Sequence, residues 1–151
     1  MKFWDSSAII PICVEEQRSN SVQAIAKEDG ELTAWWGTPI ECSSAFASIR
    51  RENRISSDEE QMLRARLDII VGYWGEISAS EEVRIIARRL LLRHPLSVAD
   101  SLQLAAAIVW AGNRPEGLEF VCLDKRLREA AHVEGFTVLP SQQIFDAIAV
   151  C

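Results

Sequence analysis

Ser97-Val98-Ala99-Asp100-Ser101-Leu102-Gln103-Leu104-Ala105-Ala106-Ala107 opens a helix that carries a single carboxylate. From Pro95 to Gly112 no other residue is charged, so Asp100 is the only ionisable group in an apolar element long enough to form a buried helix. A buried carboxylate is costly unless it is paired, hydrogen-bonded or bound to a cation. Ser97, three residues earlier, offers one partner through a capping box. Three other acids stand in comparable positions.

Downstream, residues 111–117 read as a loop, and Glu119-Phe120-Val121-Cys122-Leu123 as a buried strand that ends at Asp124. A helix is expected over 125–133, stopped by Gly135, then a last strand over 136–139 and a short terminal helix. Upstream, residues 1–4 form a short apolar run ending at Asp5, followed by a weakly helical segment broken by Pro11. A surface helix over 15–28 stops at Asp29-Gly30, and residues 32–36 read as a second strand. Thr38 as N-cap, Pro39 at the first helical position and Glu41 at the third predict a capping box that opens a helix over 39–53. An amphipathic helix from Ser57 to Trp74 packs on it as a hairpin, residues 76–80 form a brief third strand, and a basic amphipathic helix covers 81–92. Strands alternate with helices throughout, which predicts α/β architecture with a mainly parallel sheet and right-handed crossovers.

Asp5, Glu41, Asp100 and Asp124 each lie at a strand end or in the first turn of a helix. Each taken alone is explained as a cap or as a favourable charge at a helix N-terminus. Together they say more, because all strands of an open parallel sheet end on one edge, where ligands bind. Carboxylates converging there raise one another's pKa unless a cation is shared. An all-oxygen donor set suits Mg²⁺ or Mn²⁺ rather than zinc.

With 151 residues and 48% hydrophobic content, the chain fits one domain spanning 1–151. Its net charge of -6 argues against binding a polyanion by bulk charge. The arginines nevertheless cluster, at Arg50, Arg51 and Arg54, at Arg84, Arg88, Arg89 and Arg93, and at Arg126 and Arg128 beside Lys125. The four cysteines, Cys13, Cys42, Cys122 and Cys151, follow no metal-binding spacing and are expected to be reduced, mostly buried thiols. There is no signal-peptide pattern at the start, and no apolar run approaches a membrane span, so a cytoplasmic protein is expected.

Four segments then carry a resemblance: Phe3-Trp4-Asp5-Ser6-Ser7-Ala8, Pro39-Ile40-Glu41, Ala99-Asp100-Ser101-Leu102-Gln103-Leu104-Ala105-Ala106-Ala107, and Phe120-Val121-Cys122-Leu123-Asp124-Lys125-Arg126-Leu127. In order and spacing the chain resembles PIN-domain ribonucleases, most closely the VapC-type toxins of toxin–antitoxin modules. It departs from them in its bulky Trp4 and Trp35-Trp36 and in Cys122, where the family often has Thr. The resemblance implies a three-layer α/β/α PIN-like domain with a central mainly parallel sheet of about five strands. It further implies a Mg²⁺- or Mn²⁺-dependent endoribonuclease that leaves 5′-phosphate and 3′-hydroxyl ends. Asp5, Glu41, Asp100 and Asp124 would be its catalytic and metal-binding acids; apart from the resemblance, Ser6 and Ser7 beside Asp5 are placed to cap a helix or to hydrogen-bond a metal-bound carboxylate, a role expected of Ser6 in particular. RNA as substrate, a cognate VapB-type antitoxin lodged on the hairpin of 39–74, and a homodimer complete what it implies.

No G-x-S-x-G elbow, Walker phosphate loop or dinucleotide fingerprint is present. His94 and His132 are expected to have solvent or core roles rather than catalytic ones. Two alternatives stay open: another metal-dependent phosphoryl-transfer enzyme, and a catalytically inactive PIN-fold module that binds RNA or protein. A phosphatase of the haloacid-dehalogenase kind would place a second Asp two residues after Asp5, where Ser7 stands.

Overall fold

In the computed structural model, residues 1–14 and 19–149 are described. They form β1 (Lys2–Trp4), α1 (Ser6–Cys13), α2 (Ser19–Asp29), β2 (Leu32–Trp35), α3 (Thr38–Arg51), α4 (Ser57–Val71), β3 (Gly75–Ile77), α5 (Glu81–Arg93), α6 (Val98–Trp110), β4 (Glu119–Val121), α7 (Lys125–Glu134), β5 (Thr137–Leu139) and α8 (Gln142–Ala149). The five strands make one sheet in the order β3-β2-β1-β4-β5, and every pair is parallel. This is the parallel α/β sheet that the alternation of elements predicts, in the three-layer α/β/α, PIN-like arrangement that the resemblance implies.

The two-residue period of β1 divides the core between the layers. Phe3 points to one face, where it stacks on its ladder partner Phe120 with ring centroids 5.7 Å apart and joins Trp35 and the apolar sides of α5, α6 and α7. Trp4 points to the other, among Ala8, Ile9 and Cys13 of α1, Cys42 and Phe46 of α3, and Leu63 and Leu67 of α4. α3 and α4 do pack as a hairpin, tied by Glu60, which pairs with Arg50 and, at 2.7 Å, with Arg64. Because β1 is central, the chain leaves it toward β2 on one side and reaches β4 and β5 on the other. The crevice of such a sheet opens at the carboxyl ends of β1 and β4. Asp5 follows β1 directly, and Asp124 lies three residues past the end of β4.

Three local expectations are corrected. Pro11 does not break α1, which continues to Cys13. The lost hydrogen bond is outweighed by burial of Ala8, Ile9, Pro11 and Cys13 on the sheet. Thr38 is not an N-cap: α3 begins at Thr38 itself, Gly37 precedes it, and no side chain caps the helix. A side chain at Gly37 has no room, since a Cβ there would come within 2.4 Å of the Trp35 indole nitrogen. Finally, α6 is buried along its body but not in its first turn, where Val98 is 69% exposed and Asp100 is only partly covered. The predicted start of the second helix, at 15–18, lies outside the described residues, as does Cys151. Cys13, Cys42 and Cys122 are free and buried as expected.

Candidate functional site

Asp5 caps α1 from the end of β1. Its backbone N–H donates to the Val121 carbonyl at 3.0 Å, extending the β1–β4 ladder by one bond. One carboxylate oxygen, Oδ2, accepts the Ser7 backbone N–H at 3.0 Å and the Ser7 hydroxyl at 2.5 Å. The other, Oδ1, is buried and has no hydrogen-bond partner. The residue as a whole is 2% exposed.

Ser7 also joins the two sides of the crevice. Its Oγ accepts the Leu123 backbone N–H at 2.8 Å, so one hydroxyl links the β1–α1 turn to the segment leading into α7. Ser7→Ala leaves that N–H and one Asp5 bond unmade. The expected result is a loss of about 2 kcal/mol in stability by denaturant unfolding, as for an unsatisfied buried donor.

Glu41 lies in the first turn of α3. Its side chain does not return to the helix cap; the Ser6 hydroxyl donates to Oε2 at 2.8 Å and the Gln103 amide to Oε1 at 3.0 Å. Gln103 Nε2 also donates to Thr38 Oγ1 at 3.0 Å. Ser6 thus does hydrogen-bond a carboxylate of the set, and that carboxylate is Glu41. Asp100 donates its backbone N–H to Ser97 Oγ at 3.1 Å, which is the cap bond foreseen for it. Asp124 caps α7, with Oδ1 accepting the Leu127 N–H at 2.9 Å, and is exposed.

The acids influence one another's charge. Burial pushes the Asp5 carboxyl up to about 7; the two Ser7 bonds oppose the rise, while the charges of Glu41 and Asp100 add to it. Burial likewise raises Glu41, opposed by Ser6 and Gln103 and reinforced by Asp100. Asp100 is raised by burial, opposed by Ser97 and reinforced by Asp124. Electrostatic coupling therefore runs through all four predicted acids. Beneath them lies Cys122, whose Sγ is 3.6 Å from Asp5 Oδ2 and whose thiol is held neutral chiefly by its own burial.

Among the described residues, no three His, Cys, Asp or Glu side chains form a group already arranged to hold a metal ion. The donors nevertheless suit a hard divalent cation: carboxylate oxygens only, three of the four carboxyls raised in pKa by burial and by the charge of a neighbouring acid, and one buried oxygen left without a partner.

The sequence singles out the four acids, Ser6 and Ser7, and Thr38 as a cap; it does not show that Ser7 bridges to Leu123, that Thr38 bonds Gln103, or that Gln103 bonds Glu41. Gln103 carried a signal, as a polar side chain within an apolar run, three residues past Asp100 and so on the same helix face. Among the arginines, Arg128 is withdrawn from any role on the surface. It is buried, donates to the carbonyls of Cys122 and Pro140 at 2.8 Å each, and lies over the Phe145 ring. Of the two histidines, His94 has a structural partner, lying 2.7 Å from Glu134.

The fold is that of a PIN-like α/β/α domain. Among solved structures it is similar to FitAcB from Neisseria gonorrhoeae, at 18% identity and a TM-score of 0.64 over 91% of this chain and 97% of that one. It is similar to PAE2754 from Pyrobaculum aerophilum, at 14% identity and a TM-score of 0.61 over 99% and 96%. A toxin–antitoxin complex from Klebsiella pneumoniae matches at 13% identity and a TM-score of 0.58 over 83% and 89%. No family model and no curated protein matches the chain. At these identities the likeness is one of fold.

Proposed function

We propose that this chain is a Mg²⁺- or Mn²⁺-dependent endoribonuclease and the toxin of a toxin–antitoxin pair. The observation that carries the reading is the unpartnered, buried Oδ1 of Asp5, within electrostatic reach of Glu41 and Asp100 at the mouth of the sheet. Asp5, Glu41, Asp100 and Asp124 would hold the cation, which when bound supplies the Lewis-acid charge that phosphodiester hydrolysis needs. Ser7 fixes Asp5, and Ser6 fixes Glu41. Asp100 and Asp124, more open to solvent, face arriving substrate. Lys125 and Arg126 are exposed immediately after Asp124 and are placed to meet backbone phosphates, which offsets the overall negative charge locally.

An antitoxin has a matching surface. A cavity of about 390 Å³ between the end of α1 and the α3–α4 hairpin is lined by Val14, Ile55, Glu59, Met62, Leu63 and Arg66. Its apolar floor and charged rim suit an amphipathic helix. The similarity in fold to a toxin–antitoxin complex supports that partner.

The test is cleavage of single-stranded RNA by purified protein with Mn²⁺, with Mn²⁺ plus chelator, and by Asp100→Asn. The expected outcome is metal-dependent cutting with 5′-phosphate ends, abolished by chelator and reduced at least about 100-fold by the substitution. A folded Asp100→Asn protein that cuts at the wild-type rate rejects the reading.

A further inference from the structure

We infer that Gln103 is a positioning residue: its buried side-chain amide fixes the Glu41 carboxylate, directly and through Thr38, for the metal site. The inference rests on the metal-dependent reading given above. Gln103 is 0% exposed, and its Nε2 donates to both Thr38 Oγ1 and Glu41 Oε1. The nearby carboxylate settles which way the amide faces, because turning it over would set Oε1 against the acceptor oxygen of Glu41.

That orientation has a cost, since it leaves Gln103 Oε1 buried with no partner. The following residues of α6, Leu104, Ala105, Ala106 and Ala107, are all apolar and fully buried. An orphaned acceptor in such surroundings opposes folding, so stability alone does not account for a glutamine here. Position does account for it. Ser6 grips one oxygen of Glu41 from α1 and Gln103 grips the other from α6. Asp5 caps α1, Glu41 lies in α3 and Asp100 opens α6, so the chain Ser6–Glu41–Gln103 sets the spacing of three acids carried by three separate helices.

Gln103→Met keeps the length of the side chain and removes both donated bonds; Thr38→Val removes one anchor at nearly constant shape. Apo melting temperature, Mn²⁺ affinity by titration calorimetry, and the Mn²⁺ dependence of RNA cleavage are measured for both. Gln103→Met is expected to keep a cooperative melting transition, to bind Mn²⁺ about 10- to 100-fold more weakly and to need correspondingly more Mn²⁺ for half-maximal cleavage, with KM for RNA unchanged. Thr38→Val is expected to shift the same way by less. A folded variant of either kind with wild-type Mn²⁺ affinity and dependence overturns the inference and leaves the proposed function standing. Wild-type protein that neither binds Mn²⁺ nor cleaves RNA overturns both.

Discussion

Asp5→Asn is expected to lower Mn²⁺-dependent RNA cleavage by on the order of 10³-fold, yet to make the metal-free protein more stable at pH 8. The two effects share one cause. The folded-state pKa of Asp5, about 7, lies above its ordinary 3.8 because burial disfavours the charge. The folded state therefore holds a proton that the unfolded chain releases, so stability is fully present below pH 3.8 and is lost as pH rises through 7. The gap between 3.8 and about 7 corresponds to roughly 4 kcal/mol at most once both states are ionised. Asparagine never ionises, and its side-chain oxygen still accepts the Ser7 bonds. Melting curves at several pH values check this: the wild type falls between pH 4 and 8, and the variant falls less, keeping only the decline that the raised Glu41 and Asp100 carboxyls contribute. An equal loss of stability at both ends of that range would show Asp5 to be a cap and nothing more.

Saturating Mn²⁺ should reverse the wild-type decline. A cation at about 100 times its Kd adds about 2.7 kcal/mol, which for a chain of this length raises the melting temperature by roughly 5–10 °C. The rise should be greater at pH 8 than at pH 5, because at low pH the cation must displace the proton of Asp5. Differential scanning fluorimetry with and without Mn²⁺ at the two pH values reads this directly. A module that uses the fold only to bind RNA or protein would show no rise at either.

The sheet, its helices and the edge bearing the acids were legible because the inner strands β1, β2 and β4 lie in short apolar runs that stop at an acid or a turn residue. Cap chemistry also read correctly at Asp100 and Asp124, where the partner lies three residues away; Asp5, expected only as a favourable charge at a helix N-terminus, is in addition the cap of α1. Cap chemistry failed at Thr38 and Glu41. Their spacing satisfied a local rule, but the groups they bond come from α1 and α6, the latter 65 and 62 residues further along. The same limit hid the second partner of Ser7, which is 116 residues away. Pro11 misled for the opposite reason: its local preference was real, and burial against the sheet overrode it.

The link between Ser7 and Leu123 bears on when the site comes into being. β1 is made first and occupies the middle of the sheet, but its neighbour β4 is made after α1 to α6. Until β4 has docked, Asp5 has neither the Val121 carbonyl for its backbone nor the Leu123 segment that braces Ser7. A chain still emerging from the ribosome therefore carries Asp5, Glu41 and Asp100 without the geometry that joins them to Asp124. A fragment ending before β4 lacks both braces of Asp5.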